Sequence, residues 1–373
     1  MRWMVPFFYY NQNLIFIMPK KCEKMGKFAE RKKQSKQIEK IMRIYQLLAL
    51  LLIPFTVVAE EKVNYMPQIH GVFRGKYEME TEESVSRFQV RNARISVSGE
   101  LAPIIDYFIQ FDACEKGKMR FLDAWCRMDL SNEFKIQVGQ FRKPFGVDAF
   151  RNPANQYFAN RSFLAKQVGN VRGDGLKLVY QSNKSPLIVE GGVFNAKTVD
   201  DQESFTGGLS FAARALYTLN NTTFVVGWQT MKPEVARLNM IDAAIQWDYE
   251  RWHVEAEYMA KHYRHLSHPT CHAYNAFAVY KMPAKIGVFN QVSFLGRFDG
   301  MTDHSNGIGT DDDFLPVTDV ARNRATVGST FTYKYKDIHA DIRLNYEKYF
   351  YHSDYTPTEG NRDKIVAELV VKF

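Results

Sequence analysis

The 373-residue sequence predicts an all-β fold, a transmembrane antiparallel β-barrel of about 16 strands. Three observations predict it. Apolar and polar residues alternate with a period of two along most of the chain after residue 66. Short connections alternate with longer ones between the segments that show this pattern. Aromatic residues are plentiful, with 28 Phe, 20 Tyr and 5 Trp, as in the aromatic belts of membrane barrels.

The N-terminal 59 residues have the features of a targeting segment. Met42-Arg43 precedes an apolar stretch that ends at Val57-Val58-Ala59, which predicts a signal peptide over 42–59, cleaved after Ala59. We interpret residues 1–41 as an extension from a wrongly assigned start. The barrel domain is then 60–373. An uncleaved anchor or a genuine cytosolic tail is the alternative.

The net charge of +8 resides in the N-terminal segment. Residues 1–59 hold 11 Lys/Arg and 3 Asp/Glu, which leaves 38 of each kind in 60–373. The barrel domain is therefore neutral, and we predict no nucleic-acid partner. No later run of apolar residues is long enough for a helical membrane span.

The alternation is clear near the C-terminus, where Ile338, Ala340 and Ile342 oppose His339 and Asp341. Segments of this kind predict sixteen strands. Their expected bounds are 68–80, 84–100, 104–114, 119–131, 133–143, 174–182, 186–195, 206–219, 222–232, 238–250, 252–264, 270–283, 286–299, 319–335, 337–350 and 363–373.

The connections indicate which ends of the strands share a rim. Those after even-numbered strands are short, such as Asn220-Asn221, and every long one follows an odd-numbered strand. This parity predicts short periplasmic turns and long extracellular loops. An even strand number also lets the first and last strands pair, so that no edge is left open.

Sixteen strands enclose a cylinder too wide for side chains to fill, so a water-filled lumen is expected. The run Gly139–Gly146 ends a strand with two cations, a proline and a glycine. It opens the longest connection, 144–173, which we expect to fold into the pore. The sequence therefore predicts passive diffusion of small solutes through a channel, with selectivity set by charges in the lumen.

Cations on inward faces are the candidates for guiding anions through the pore. Three of them, Arg87, Arg91 and Arg94, share a face only if a β-bulge lies near Asn92. Inward carboxylates are as numerous as inward cations, so a weakly selective general channel is the alternative. The candidate pore-lining residues are Arg74, Lys76, Arg87, Arg91, Arg94, Lys135, Arg142, Lys143, Arg151 and Arg161.

Several stretches resemble the phosphate-selective porin O/P family of Gram-negative outer membranes. The resemblance implies a homotrimeric sixteen-stranded porin, with the third loop folded inward and basic residues guiding small anionic solutes such as phosphate or polyphosphate. Its partners are then outer-membrane lipid and those solutes. The matching stretches are Phe88–Ile95, Leu122-Asp123-Ala124, Gly139–Gly146, Gly191–Asn195, Arg297-Phe298-Asp299 and the terminal Phe373.

Other constellations keep further functions open. A histidine-rich segment has the donor types of a zinc site, although an exposed polar loop is the simpler explanation. An outer-membrane enzyme or receptor is a second class, but no serine elbow or phosphate loop occurs. We predict no enzyme activity and no cofactor. The residues concerned are His262, His265, His268, Cys271 and His272 for zinc, the inward His253, Glu255 and Glu257 for an enzyme, and Cys114 and Cys126 for a disulfide.

Overall fold

The computed structural model describes residues 63–373, except 116, 170–171, 197–207, 234–235, 265–267, 310–314 and 353–354. The predictions for residues 1–41 and 42–59 lie outside the described residues and stay predictions. In the described part, no helix is both long enough and apolar enough to cross a membrane.

The alternating segments form a closed antiparallel barrel of sixteen strands in sequential order, which confirms the predicted fold. Most strand ends lie within a few residues of the expected bounds. The strands are β1 Gln68–Glu80, β2 Ser86–Ala102, β3 Ile105–Glu115, β4 Lys118–Asp129, β5 Phe134–Arg142, β6 Arg172–Gln181, β7 Leu187–Asn195, β8 Leu209–Leu219, β9 Thr222–Met231, β10 Arg237–Tyr249, β11 Trp252–Arg264, β12 Cys271–Ile286, β13 Phe289–Met301, β14 Arg322–Tyr335, β15 Ile338–Tyr351 and β16 Lys364–Lys372.

The barrel closes between β1 and β16. Phe73 pairs with Val371, and the main chain of Gly71 exchanges hydrogen bonds with that of Phe373 at 3.0 and 3.2 Å. Closure leaves no row of unpaired peptide groups, which is a requirement for β-structure in a lipid bilayer.

The two faces of the wall have opposite chemistry. Large apolar side chains such as Val226, Ile241 and Val327 are exposed on the outside, whereas Glu255 and Arg343 are buried inside. A water-soluble protein would bury its apolar residues and expose its charges. The reversal fits a wall with lipid outside and a polar lumen inside.

The turn rim is the end of the barrel that carries the connections after even-numbered strands. Asn220, Glu250 and Lys336 lie there with φ of 50°, the left-handed backbone of tight hairpins. The opposite end, the loop rim, carries the long connections 143–171, 302–321 and 352–363. The predicted parity of the connections is thus observed.

A β-bulge on β2 lies where the sequence requires it. Arg74 of β1 pairs with Asn92 and Gly75 pairs with Val90, so Arg91 is the extra residue. The bulge changes the parity of β2. Its consequence is that Arg87, Arg91 and Arg94 all face the lumen.

Candidate functional site: a loop folded into the barrel

The connection between β5 and β6 lies inside the barrel over its described residues, 143–169. Three arginines on the inward wall hold it by donating to consecutive carbonyl oxygens: Arg74 to Ala159 at 2.8 Å, Arg297 to Asn160 at 2.8 Å and Arg324 to Arg161 at 2.7 Å. These arginines belong to β1, β13 and β14, and β13 is the strand directly opposite β5 in the ring of sixteen. The loop therefore spans the lumen and narrows it, as predicted.

The start of the loop is fixed to another part of the wall, at β8 and β11. The Glu257 carboxylate on β11 accepts hydrogen bonds from the amides of Val147 at 2.6 Å and Asp148 at 3.0 Å. Arg214 on β8 donates to the carbonyl of Gly146 at 3.1 Å. Gly146 has a φ of 71°, a backbone that glycine adopts without a steric penalty. The sharp turn into the lumen depends on this residue.

A compact turn follows, built around Asp148. Its carboxylate accepts from Ser162 Oγ at 2.6 Å and from Arg151 Nη1 at 2.9 Å. Burial alone would raise the pKa of Asp148, but Arg151 and Arg161 outweigh it and hold the pKa below its usual value. The carboxylate is thus ionised and ties the two halves of the loop together.

The second half of the loop is held by apolar packing. A single turn of π-helix, Leu164–Gly169, buries Leu164 completely, and its neighbour Phe163 is 3% exposed. Both pack in a cluster with Met259 and Leu238 of the wall. Full burial of a side chain of this size stabilises by roughly 1.5–3 kcal/mol. Hydrophobic packing thus adds to hydrogen bonds with the rest of the barrel, such as those of Phe163 N to Asp299 and of Gln167 to Asp319, in holding this half of the loop.

The loop and the wall of β1, β2 and β14–β16 enclose a cavity of about 420 Å³ on the side of the loop rim, which we name the basic cavity. Its lining includes eleven Lys or Arg residues and one acid, Glu78. The cations are Arg74, Lys76, Arg87, Arg91, Arg94, Arg142, Arg161, Lys166, Arg172, Arg324 and Lys364.

Many of these cations are neutralised by carboxylates in the wall. Arg74 pairs with Glu368 at 2.6 Å, and Arg324 pairs with Asp299 at 2.9 Å. Such pairs leave little net charge for a solute in the lumen. Their guanidinium groups still line the cavity and donate hydrogen bonds to the loop.

Four of the lining cations make neither a hydrogen bond nor an ion pair with a carboxylate among the described residues. Arg142 and Arg161 donate to main-chain carbonyl oxygens. Arg91 and Lys166 make no hydrogen bond or ion pair with any residue that the structure describes. The surplus positive charge of the basic cavity resides on these four side chains.

The crowding of cations affects the loop residues. Burial, and after it the neighbouring Arg94 and Arg74, lower the pKa of Arg161 to about 10 against the opposing charge of Asp148. Partial desolvation inside the barrel, with the like charges of Lys364 and Arg324, lowers the pKa of Lys166 to about 8. Desolvation is the larger cause of the lowered pKa of Lys166, and the nearby cations add to it.

Seven of the ten predicted pore-lining residues line the basic cavity: Arg74, Lys76, Arg87, Arg91, Arg94, Arg142 and Arg161. The other three lie elsewhere. Lys135 pairs with Asp129 at 2.8 Å. Lys143 is 2% exposed against the ring of Phe194. Arg151 pairs with Glu255 and lines a larger cavity of about 690 Å³ on the other side of the loop.

Four lining cations were missing from the predicted set: Lys166, Arg172, Arg324 and Lys364. The signal for Arg324 is its alternation with Asn323 and Ala325 on β14. Lys166 carries no such signal, because a loop has no periodicity that reveals which way a side chain faces. Its position depends on the π-helical turn.

The alternative sites find limited support. Among the described residues, no three His, Cys, Asp or Glu side chains lie together as metal ligands, and His265 lies outside that part of the chain. Glu257 binds loop amides, and His253 contacts Asp248 at 2.8 Å. Cys114 and Cys126 are both free thiols.

Comparison with known proteins places this geometry among porins. Residues 63–224 match the family model for phosphate-selective porin O and P. No curated protein matches the chain.

Three solved structures illustrate the shared fold. The anion-selective porin from Comamonas acidovorans is 11% identical and has a TM-score of 0.56, over 82% of this chain and 98% of that one. OmpF of Salmonella typhi in complex with daunomycin is 13% identical, with a TM-score of 0.58 over 82% and 97%. The trimer form of OmpT, an outer membrane protein of Vibrio cholerae, is 11% identical, with a TM-score of 0.56 over 83% and 98%. The family resemblance predicted from the sequence motifs is therefore confirmed over residues 63–224, and the chain has the closed sixteen-stranded fold of outer-membrane porins.

Proposed function

We propose that this protein forms a water-filled channel for passive diffusion of small solutes across the outer membrane, with a preference for anions of the phosphate or polyphosphate type. The observation that carries the preference is the basic cavity, whose lining has eleven cations and one acid. A narrow passage with low-dielectric walls concentrates the field of its charges, so small anions are enriched there.

Four cations free of carboxylate partners are the residues proposed to select anions. Arg91 on the β2 wall and Lys166 on the loop have no partner among the described residues, so an anion in the cavity can take up their N–H groups. Arginine suits this task because its planar guanidinium matches the oxygens of a phosphate. The phosphate-like preference also draws on the family model and on the anion-selective porin of similar fold.

A weakly selective general porin is the second candidate. The observation that favours it is the wall pairing of most lining cations, such as Arg94 with Asp112 at 2.9 Å. The two candidates differ in the charge preference of the pore and not in its architecture. We propose a channel rather than an enzyme or a receptor, because the inward carboxylate Glu257 is engaged in holding the loop.

Export and assembly complete the proposal. A signal peptide over 42–59 would direct the chain to the outer membrane. A homotrimer is the proposed assembly, with outer-membrane lipid around it, and a trimer form of one protein of similar fold supports it.

Planar-bilayer recording of the purified protein tests the proposal. We expect discrete conductance steps, and in a KCl gradient a reversal potential of the sign for anions. Arg91→Gln with Lys166→Gln should reduce the anion-to-cation permeability ratio several-fold, whereas Lys135→Gln, outside the basic cavity, should leave it unchanged. No conductance would refute the channel. Conductance without anion preference would establish the general porin instead.

A further inference from the structure

The outward face of the barrel carries a second group of cations at the loop rim. Arg237 at the start of β10 lies opposite Arg264 at the end of β11. His262 and His272 are on the same outward face, because they alternate with the buried, inward Lys261, Tyr263 and Cys271. We name Arg237, His262, Arg264 and His272 the outer basic patch.

Among the described residues, the two arginine side chains have no carboxylate partner. In the part of the chain that the structure describes, Arg237 donates only to Thr230 Oγ1 at 3.3 Å, and Arg264 has no hydrogen bond or ion pair. Like charges directly opposite each other on a sheet destabilise it unless an anion lies between them. Within the described residues, the two arginine side chains therefore lack a counter-ion.

No acidic residue on the described strands of the neighbouring wall supplies that counter-ion. Every Asp and Glu on the strands β9–β15 belongs to the inward register, which points away from the patch. These acids are Asp242, Asp248, Glu255, Glu257, Asp299, Asp341 and Glu347. On the described strands, the outward face of this wall therefore carries cations and no carboxylates at the loop rim.

The position of the patch sets its depth in the membrane. Immediately toward the barrel middle, Tyr258, Trp228, Ile241 and Phe298 are exposed on the same face. Tyr258 Oη lies 2.6 Å from His272 Nδ1, so the aromatic band and the patch meet at this pair. Tyrosine and tryptophan mark the boundary between hydrocarbon and headgroups. The patch consequently lies at headgroup level.

We propose that the outer basic patch binds the phosphorylated headgroup of a lipid in the leaflet at the loop rim. Two guanidinium groups on adjacent strands can engage one phosphate group through paired N–H donors. His262 and His272 have one ring nitrogen each occupied, by Thr270 and Tyr258. The apolar band below contacts the acyl chains, which a free phosphate ion lacks. Charge and apolar surface together therefore fit a lipid.

Native mass spectrometry of the purified full-length protein in detergent micelles tests this. The probe is lipid A carrying two phosphates, with inorganic phosphate and phosphatidylcholine as comparison ligands. Arg237→Gln with Arg264→Gln should weaken lipid A binding about tenfold or more. The reason is that each arginine near an anionic lipid headgroup adds to the binding affinity, and the variant removes two. Arg237→Lys with Arg264→Lys keeps the charges and should lose less. The matched control, Arg251→Gln with Lys336→Gln, changes two cations at the turn rim and should bind as the wild type does.

Equal binding by the wild type and the double glutamine variant would overturn the proposal, as would an equal loss in the turn-rim control. Displacement of lipid A by inorganic phosphate at equal concentration would show a free-anion site and also overturn it. Because the patch lies outside the lumen, the double glutamine variant should keep the conductance and reversal potential of the wild type. A wild type that binds lipid A but does not conduct would refute the channel alone.

Discussion

Arg142 and Arg161 donate to the same two carbonyl oxygens. Arg142 Nη1 lies 2.8 Å from the oxygen of Ala149 and 2.9 Å from that of Arg151, and Arg161 reaches the same atoms at 3.1 and 2.9 Å. Arg142 ends a wall strand, and Arg161 belongs to the inserted loop. The shared acceptors therefore join the wall, the first turn of the loop and its middle, and they bring two like charges to the edge of the basic cavity.

Replacing both arginines with methionine should loosen the loop. A hydrogen bond from a charged donor contributes about 1.5–3 kcal/mol, and each arginine makes at least two such bonds here. We expect Arg142→Met with Arg161→Met to increase open-channel current noise and to reduce anion preference in planar bilayers. Lys143→Met, which changes a buried neighbour outside the cavity, is the control. If the double variant showed the current noise and the selectivity of the wild type, the two arginines would not be what holds the loop through these carbonyl oxygens.

Gly146→Ala should destabilise the loop entry. The backbone φ of 71° costs an L-residue about 1–2 kcal/mol, and the added Cβ would lie 3.2 Å from Glu257 Oε1. Urea unfolding of the protein in lipid vesicles measures the loss. Gly296→Ala is the matched control, because nothing lies within 4 Å of its Cβ position. Similar unfolding free energies for the two variants would show that the turn tolerates a side chain.

Glu257→Gln should free one end of the loop without removing the side chain. A carboxylate accepts from both the Val147 and Asp148 amides, whereas a glutamine amide offers one oxygen and leaves one N–H unpaired, at a cost of about 1–3 kcal/mol. Hydrogen exchange followed by mass spectrometry should show faster exchange in peptides covering 147–148. Asp106→Asn, which changes a pair with Arg127 away from the loop, should not alter exchange there. Unchanged exchange in Glu257→Gln would argue against the anchor.

The anion preference should fall as pH rises from about 7 to 9. The pKa of Lys166 is lowered to about 8, so its ammonium is charged below that pH and loses its proton above it. Deprotonation removes one of the four cations without a carboxylate partner. Reversal potentials in a KCl gradient measure the change. Lys166→Arg stays charged across this range, so its anion preference should no longer change with pH. Lys166→Gln should also lose the pH dependence, but with the lower anion preference that the wild type shows at high pH. If the pH dependence persisted in Lys166→Arg, a titrating group other than Lys166 would be its cause.

The sequence by itself determined the strand count, the faces of each strand and the division between the two rims. The physical reason is that β-strands expose alternate residues to two different solvents, so lipid and water impose a period of two that can be read along the chain. The bulge at Arg91 was readable for the same reason, since a change of parity between Val90 and Ile95 requires one extra residue.

The tertiary structure alone decided which cations are free to act on a solute. Lys143 and Arg142 are adjacent in sequence, yet one is buried against Phe194 and the other lines the basic cavity. Arg151 is neutralised by Glu255, which lies 104 residues away along the chain. Whether a charge is paired depends on contacts between the inserted loop and distant strands, and no local periodicity records such contacts. The sequence therefore determined the barrel, and the folded loop determined the distribution of charge within it.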